Sequence, residues 1–136
     1  MDCVFCKIVN NELPSAKVYE DEDCFAFLDI NPVSQGHTLL IPKRHYENMQ
    51  EAPKDTLSKL AAAGQKVAKA IVEATGAQGY NFTTANGRPA GQSVFHVHFH
   101  IIPRRDGDGF APWGTGKYDS TDEAQKVANA IREKIV

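Results

Sequence analysis

The sequence predicts one α+β domain over residues 1–136, in which an antiparallel sheet of about five strands carries a long central helix and a C-terminal helix on one face. Three observations support this fold class. Five short apolar segments have the composition of strands, two longer segments have helical periodicity, and the chain contains neither an internal repeat nor a linker. A chain of 136 residues is also long enough to bury a core of its own.

The first three predicted strands lie near the N-terminus. Residues 17–20 and 24–29 are strand-like and flank the acidic turn 20–23, which predicts a hairpin. Residues 37–42 form the third strand, which follows the turn formers of residues 31–36.

The longest predicted helix begins at residues 52–55 and ends at Gly76, a residue type that commonly stops helices. Its apolar positions recur with the i, i+3, i+4 spacing of a buried helical face. They are Leu57, Leu60, Ala61, Gly64, Val67, Ala68 and Ile71. Because Gly64 falls on this face, we expect close backbone packing there.

The fourth and fifth predicted strands are residues 80–84 and 94–102, separated by the turn-rich loop 86–91. The fifth should stop before Pro103, because proline cannot donate to a strand ladder. Residues 120–123 form a capping box that opens the C-terminal helix. Its apolar side consists of Ala124, Val127, Ala128, Ile131 and Ile135.

Three of the five histidines occupy every second position of the fifth strand, as His96, His98 and His100. Side chains alternate across a strand, so these imidazoles should form one row on one face. The opposite, buried row would consist of Val97, Phe99 and Ile101. His96 and His100 would lie about 13 Å apart, too far to share one metal ion comfortably. The row therefore needs at least two roles.

Cys3 and Cys6 form a C-x-x-C pair, which supplies half of a tetrahedral zinc site of the Cys2His2 type. His45 and one end of the histidine row are the candidates for the other half. A redox pair would sit at a strand-to-helix junction, but nothing before Cys3 can be that strand. Two structural cysteines near the terminus are the remaining interpretation. Cys24 is expected to be a small core residue.

Gln92 and Ser93 lie between a glycine-containing loop and the histidine strand, and their polar groups make a candidate anion cradle. Such a cradle needs no basic surface. The net charge of −2 argues against nucleic-acid binding, which depends on a clustered basic face.

Composition also predicts a cytoplasmic protein that does not enter a membrane. Three cysteines, an odd number, fit a reducing compartment. No apolar run approaches the length of a membrane span, and the N-terminus begins acidic without the apolar core of a signal peptide.

Taken together, these motifs resemble the histidine triad family of nucleotide hydrolases and transferases. The resemblance rests on the segments 25–30, 36–45 and 91–102, and it extends from Cys3 to Trp113. It implies a HIT-like fold, and the chain is similar to the bacterial zinc-containing branch of purine nucleotide phosphoramidases.

The resemblance implies that His98 attacks the α-phosphorus of a purine nucleotide derivative and forms a covalent nucleotidyl-histidine. A nucleophilic imidazole needs an unprotonated Nε2, so an acceptor must hold its Nδ1–H. By the same resemblance, His37 and His100 are supporting imidazoles. Ser93 and Gln92 would bind phosphate oxygens and the bridging or leaving group.

Other expected roles also come from the resemblance. Asp29 would accept hydrogen bonds from the ribose hydroxyls. The base would pack among Phe5, Ile8, Phe27 and Ile30. Ala85 stands where the family often has Asn, which makes Asn86 the candidate for a substrate contact at this position.

The resemblance further implies a structural zinc ion and a homodimer. The zinc ligands would be Cys3, Cys6, His45 and His96. In the dimer, the segment around Trp113 would reach toward the partner's pocket.

Three other functions fit the same residues. A dinucleoside polyphosphate hydrolase would differ only in what binds beyond the α-phosphate. A zinc hydrolase would use His96, His98 and a third residue around an open metal position. A nucleotide-binding protein with little turnover would keep the pocket without the reaction.

Overall fold

The computed structural model describes residues 2–110 and 113–135 and confirms an α+β fold built on a five-stranded antiparallel sheet. The elements follow the chain as α1 (Val4–Val9), β1 (Lys17–Glu20), β2 (Cys24–Leu28), β3 (Thr38–Pro42), α2 (Lys54–Thr75), β4 (Gly79–Thr83), β5 (Phe99–Arg104) and α3 (Thr121–Lys134). Within the two described ranges, no helix has both the length and the apolar character needed to cross a membrane.

The sheet has the strand order β1-β2-β3-β5-β4, and every neighbouring pair is antiparallel. β1 and β2 form the predicted hairpin. α2 ends as predicted at Gly76, whose left-handed φ of 71° lets its N–H bond to the Val72 carbonyl.

Alternation along β2 and β3 divides the core between the two faces of the sheet. On one face, Ala26 and Leu40 pack against α2. Gly64 lies in this layer, where an added Cβ would come within 2.7 Å of the Phe82 ring. This confirms the predicted close packing at Gly64.

The opposite face is covered by α1, a helix that the sequence did not predict. Phe5 and Ile8 of α1 pack there in one buried cluster with Phe25, Phe27, Leu39 and Ile41. The expectation that helices lie on one face is therefore wrong. α3 begins at the predicted capping box, where Ser120 Oγ accepts from Glu123 N, but none of its residues is buried.

The last strand differs from the prediction at both ends. β5 begins at Phe99 and continues through Pro103 to Arg104. Pro103 is tolerated because it lies beyond the last β3 partner, which pairs Thr38 with Ile101. The Pro103 carbonyl accepts from Ser34 Oγ instead of from a residue of β3. The absence of an N–H on Pro103 therefore interrupts no bond of the β3–β5 ladder.

Candidate active site and metal centre

The histidine segment before β5 bends at residues 94–96 and is not part of the ladder. The Val97 N–H donates to the Tyr46 carbonyl at 2.7 Å, and Thr84 Oγ1 donates to the His98 carbonyl at 2.8 Å. His98 and His100 nevertheless lie side by side, with their ring centroids 5.2 Å apart.

His98 has one ring nitrogen fixed by the backbone. Its Nδ1–H donates to the His96 carbonyl at 2.8 Å, which leaves Nε2 as the unprotonated nitrogen. His98 is 6% exposed and lines the pocket described below. Burial lowers the pKa of His98, and this favours the neutral imidazole.

His100 has the opposite tautomer, which His37 sets. The Val33 N–H donates to His37 Nδ1 at 3.0 Å, so the proton of a neutral His37 is on Nε2. That N–H donates to His100 Nδ1 at 2.9 Å. The proton of His100 is therefore on Nε2, available to a ligand. Burial lowers the pKa of His37 and lowers that of His100 to about 4.

Asp29 follows β2 at the edge of the same histidine pair. Its Oδ1 accepts from the Asn31 N–H at 2.9 Å, and its Oδ2 lies 3.6 Å from His37 Nε2. Its backbone N–H donates to the His37 carbonyl. His37, which immediately precedes β3, thus holds the carboxylate beside the pocket, where its oxygens can accept hydrogen bonds from a ligand.

Asp29, His98 and His100 line a pocket of about 520 Å³, a size that suits a small-molecule ligand. Its wall includes eight of the predicted site residues: Phe5, Ile8, Phe27, Asp29, Ile30, Ser93, His98 and His100. Most of the wall is apolar, and its polar residues include the two imidazoles, Asp29 and Ser93. Ile30 is 91% exposed and forms part of the pocket rim.

Three of the predicted catalytic and substrate-binding residues lie outside the pocket wall. His37 lies behind His100. Gln92 is buried, and its amide is engaged by the Gly87 N–H and the Glu47 and Val94 carbonyls, so it braces the loop. Asn86 Oδ1 accepts from the Met49 N–H, so this side chain too is engaged within the protein.

The pocket also uses residues that sequence reasoning missed. Val4, Leu39 and Val94 complete the apolar wall, with Pro14, Ser15 and Ala16 at one side. Leu39 could have been found, since it lies directly opposite Phe27 in the β2–β3 register. Val4 could not, because it depends on the unpredicted helix α1.

The four predicted metal ligands form a second cluster. Their ligand atoms lie within 4.8 Å of one another. His96 Nδ1 lies 3.6 Å from the Sγ atoms of both Cys3 and Cys6, and His45 Nδ1 lies 3.5 Å from Cys6 Sγ. The two Nδ1 atoms are 3.2 Å apart.

This arrangement fits a tetrahedral zinc ion. Zinc–sulfur and zinc–nitrogen bond lengths place tetrahedral ligand atoms about 3.5 Å apart for an S–N pair and about 3.3 Å apart for an N–N pair. His96 Nε2–H donates to the Pro42 carbonyl at 2.8 Å, which leaves Nδ1 free as a ligand. Burial lowers the pKa of His96 to about 4, so the ring is neutral as metal binding requires.

Comparisons with known proteins point to one family. A family model described as HIT domain matches residues 10–107. An uncharacterized HIT-like protein of Methanocaldococcus jannaschii is 50% identical over 125 residues, which cover 91% of this chain and 96% of that protein. The adenosine 5'-monophosphoramidase hnt1 of Schizosaccharomyces pombe is 40% identical over 136 residues, which cover 99% of each chain.

Solved structures give the same result. The SMU.412c protein of Streptococcus mutans superposes with a TM-score of 0.94 at 42% identity, covering 99% of this chain and 86% of that one. A zinc-bound histidine triad family protein from Mycobacterium smegmatis superposes with a TM-score of 0.79 at 38% identity, covering 98% and 96%.

Proposed function

This chain belongs to the HIT domain family, and from that premise we propose that it hydrolyses purine nucleotide derivatives at the α-phosphate, with phosphoramidates as the leading substrate class. One observation carries the proposal. His98 and His100 lie side by side in the pocket with opposite tautomers, so one offers a bare Nε2 and the other an Nε2–H. A nucleophile beside a hydrogen-bond donor is what phosphoryl substitution requires.

In the proposed first step, His98 Nε2 attacks the α-phosphorus and forms a P–N bond. The bond from phosphorus to the leaving group breaks, and the departing amine takes the electron pair and a proton from solvent water. A water molecule then attacks phosphorus and gives up a proton to solvent, the bond from phosphorus to His98 Nε2 breaks, and the mononucleotide leaves with His98 restored. His100 Nε2–H donates to a phosphate oxygen in both steps. His37 donates to His100 Nδ1 and thereby keeps the proton of His100 on Nε2.

The remaining pocket residues bind the substrate in this proposal. Asp29 accepts hydrogen bonds from the ribose hydroxyls, and Ser93 contacts a phosphate oxygen or the leaving group. The base packs in the apolar wall formed by Phe5, Ile8, Phe27 and Ile30. Gln92 and Asn86 contribute indirectly, because their contacts shape the loop that carries Ser93.

We further propose that the metal centre holds one zinc ion with a structural role. Zinc bound there would tie together ligands from distant parts of the chain and stabilise the fold. A catalytic zinc shared by His96 and His98 is disfavoured, since the two rings serve different sites. The three free cysteines fit a reducing compartment, which supports a cytoplasmic location.

The closest alternative is a dinucleoside polyphosphate hydrolase, which would use the same α-phosphate chemistry. The relative from Schizosaccharomyces pombe is named an adenosine 5'-monophosphoramidase, and this name supports phosphoramidates as the substrate class of the present chain. Turnover of an adenosine phosphoramidate and of diadenosine polyphosphates at equal enzyme concentration separates the two. A nucleotide-binding protein without turnover would bind AMP and cleave neither.

A homodimer is also part of the proposal. The outer edge of β4 lies at the border of the sheet, and Tyr80 and Phe82 on this strand are 45% and 38% exposed. With Ala61, Gly64 and Gln65 of α2 they line a shallow hollow of about 230 Å³. An unpaired strand edge beside exposed aromatic rings favours pairing with a second copy. Trp113, 79% exposed, would dock near the partner's pocket.

The covalent mechanism is tested by intact-mass measurement of quenched mixtures with adenosine 5'-phosphoramidate. The parent enzyme should gain the mass of one adenylyl group. His98→Ala should never gain it and should lose several orders of magnitude in rate, because the covalent route is removed, while still binding AMP and zinc. His100→Asn is the matched comparison and should form the adduct more slowly. Parent-like turnover by His98→Ala would mean direct attack by water.

A further inference from the structure

Helix α1 belongs to both sites at once. Cys6 lies in this helix and Cys3 immediately precedes it, and both contribute to the metal centre. Phe5 and Ile8 of the same helix form part of the nucleotide pocket wall. The two sites therefore share one structural element of six residues.

Little within α1 itself keeps it helical. It has six residues, no side-chain cap and no acidic residue in its first turn. Helices this short are unstable in isolation, so their stability must come from tertiary contacts. The core cluster between the sheet and α2 contains no residue of α1, so this cluster can pack without the helix.

Two kinds of contact attach α1 to the domain. One is burial of the Phe5 and Ile8 side chains against the sheet. The other is the approach of Cys3 and Cys6 to His45 and His96, which belong to other parts of the chain. A metal ion bound by all four side chains would add a strong attachment at this point.

Displacement of α1 would change the nucleotide pocket directly. The centroid of the Phe5 ring lies 5.1 Å from that of the His98 ring and 5.4 Å from that of Phe27, in edge-to-face arrangements. Phe5 also lies 5.9 Å from the ring of the metal-site residue His96. Loss of Phe5 from this position would open the base-binding wall and expose His98 to water.

We propose that the metal centre controls nucleotide affinity by holding α1 in place, so that zinc and nucleotide bind cooperatively. The inference rests on the proposed function, since it concerns the same pocket. Coupling between two ligands is reciprocal: zinc must tighten nucleotide binding by the same factor by which nucleotide tightens zinc binding. The metal then assembles the pocket, beyond any contribution to overall stability.

A second connection between the sites makes a different prediction. The His96 carbonyl accepts the Nδ1–H of His98, so a shift of His96 could reorient His98 while α1 stays folded. Proteolysis after Lys7 distinguishes coupling through α1 from coupling through the His96 carbonyl. It lies in α1, and trypsin can cleave after Lys7 only when this helix opens.

The test compares zinc-loaded and chelator-treated protein, with AMP as the probe. Removal of zinc should weaken AMP binding, measured by calorimetry, by at least about tenfold. Trypsin should then cut after Lys7 while far-UV circular dichroism stays close to that of the loaded protein. Zinc affinity measured with and without saturating AMP should change by the same factor as AMP affinity.

Variants distinguish the metal from local damage to α1. Cys6→Ser and His45→Gln should both lose zinc and weaken AMP binding similarly, although His45 lies outside α1. Cys24→Ala is the matched control, because it removes a buried thiol from the other core cluster and should leave both ligands unaffected.

Each remaining outcome is decisive. An unchanged AMP affinity after zinc removal, or a weakening without cleavage after Lys7, would overturn the proposed coupling through α1. Global unfolding of the metal-free chain would overturn it as well, since the proposal requires the rest of the fold to persist. Failure of the zinc-loaded parent to bind AMP would count against the proposed function itself.

Discussion

At the scale of single residues, each histidine of the triad is defined by the partner of one ring nitrogen. His96 Nε2–H donates to the Pro42 carbonyl, so Nδ1 turns toward the cysteines. His98 Nδ1–H donates to the His96 carbonyl, so Nε2 is bare. His100 Nδ1 accepts from His37, so Nε2 carries a proton. Three identical side chains therefore offer three different groups: an Nδ1 that faces the cysteines, a bare Nε2 and an Nε2–H donor.

The titration of His100 predicts how stability depends on pH. Burial lowers the pKa of His100 from 6.5 to about 4, so below pH 6.5 the unfolded chain takes up a proton that the folded chain does not. Stability should therefore fall as the pH decreases from 6.5 toward 4, by at most about 1.4 kcal/mol per pH unit for one histidine. The groups facing His100 are His37, His98 and Asp29.

The measurement is the free energy of unfolding of zinc-loaded protein between pH 7 and pH 5.5, by urea titration. His100→Asn should show a shallower loss than the parent over this window. Because both proteins keep the same zinc ligands, any metal release contributes equally and cancels in the difference. Parallel curves would show that His100 does not titrate in this way.

Motifs identified the candidate site residues, but they did not reveal every contact. The alternation of His96, His98 and His100 indicated a row, and the rings of His98 and His100 do lie side by side. The partners of Gln92 could not be predicted, because Glu47 approaches from a loop 45 residues away in sequence. A motif specifies residue types, whereas the hydrogen bonds of a buried amide depend on the tertiary arrangement.

At the scale of elements, the contact between α2 and β4 depends on a missing side chain. An added Cβ at Gly64 would lie 2.7 Å from Phe82 Cε1, and the Phe82 ring is stacked on Phe99 with centroids 5.0 Å apart. Gly64→Ala should destabilise the protein by about 1 kcal/mol, because the steric cost exceeds the gain in helix propensity.

A double-mutant cycle tests this explanation. In a Phe82→Ala background the clash is absent, so Gly64→Ala should become stabilising by about 1 kcal/mol through helix propensity alone. The measurement is the unfolding free energy of the four proteins. If Gly64→Ala changes the unfolding free energy in the same direction in both backgrounds, the close approach to Phe82 is not what requires glycine at this position.

Elements with strong periodicity were predicted, and those defined by tertiary contacts were not. α2 and the first four strands match the prediction within about two residues, the usual uncertainty of element ends. α1 has no capping signal and is too short to show a period. β5 starts late because the β3–β5 ladder ends at the pair Leu40 and Phe99, and the Val97 N–H bonds to the Tyr46 carbonyl instead of to β3.

At the scale of the whole molecule, the two edges of the sheet differ in character. β1 carries charged residues at both ends, Lys17 and Glu20, which form a salt bridge with each other. β4 exposes Tyr80 and Phe82 beside the small residues of α2. Charged edges resist strand pairing, whereas apolar edges promote it. The second copy should therefore pair at β4.

The last prediction is that charge on the β4 edge gives a monomer while charge on the β1 edge does not. Tyr80 and Val18 are 45% and 41% exposed, so Tyr80→Glu and Val18→Glu are a matched pair of substitutions on opposite edges. Sedimentation velocity at micromolar concentration should give twice the chain mass of 14.9 kDa for the parent and for Val18→Glu, and a single chain mass for Tyr80→Glu. The glutamates of two facing copies would repel each other across the paired strands. A monomeric parent would refute the proposed dimer, and a dimeric Tyr80→Glu would show that the interface does not lie at β4.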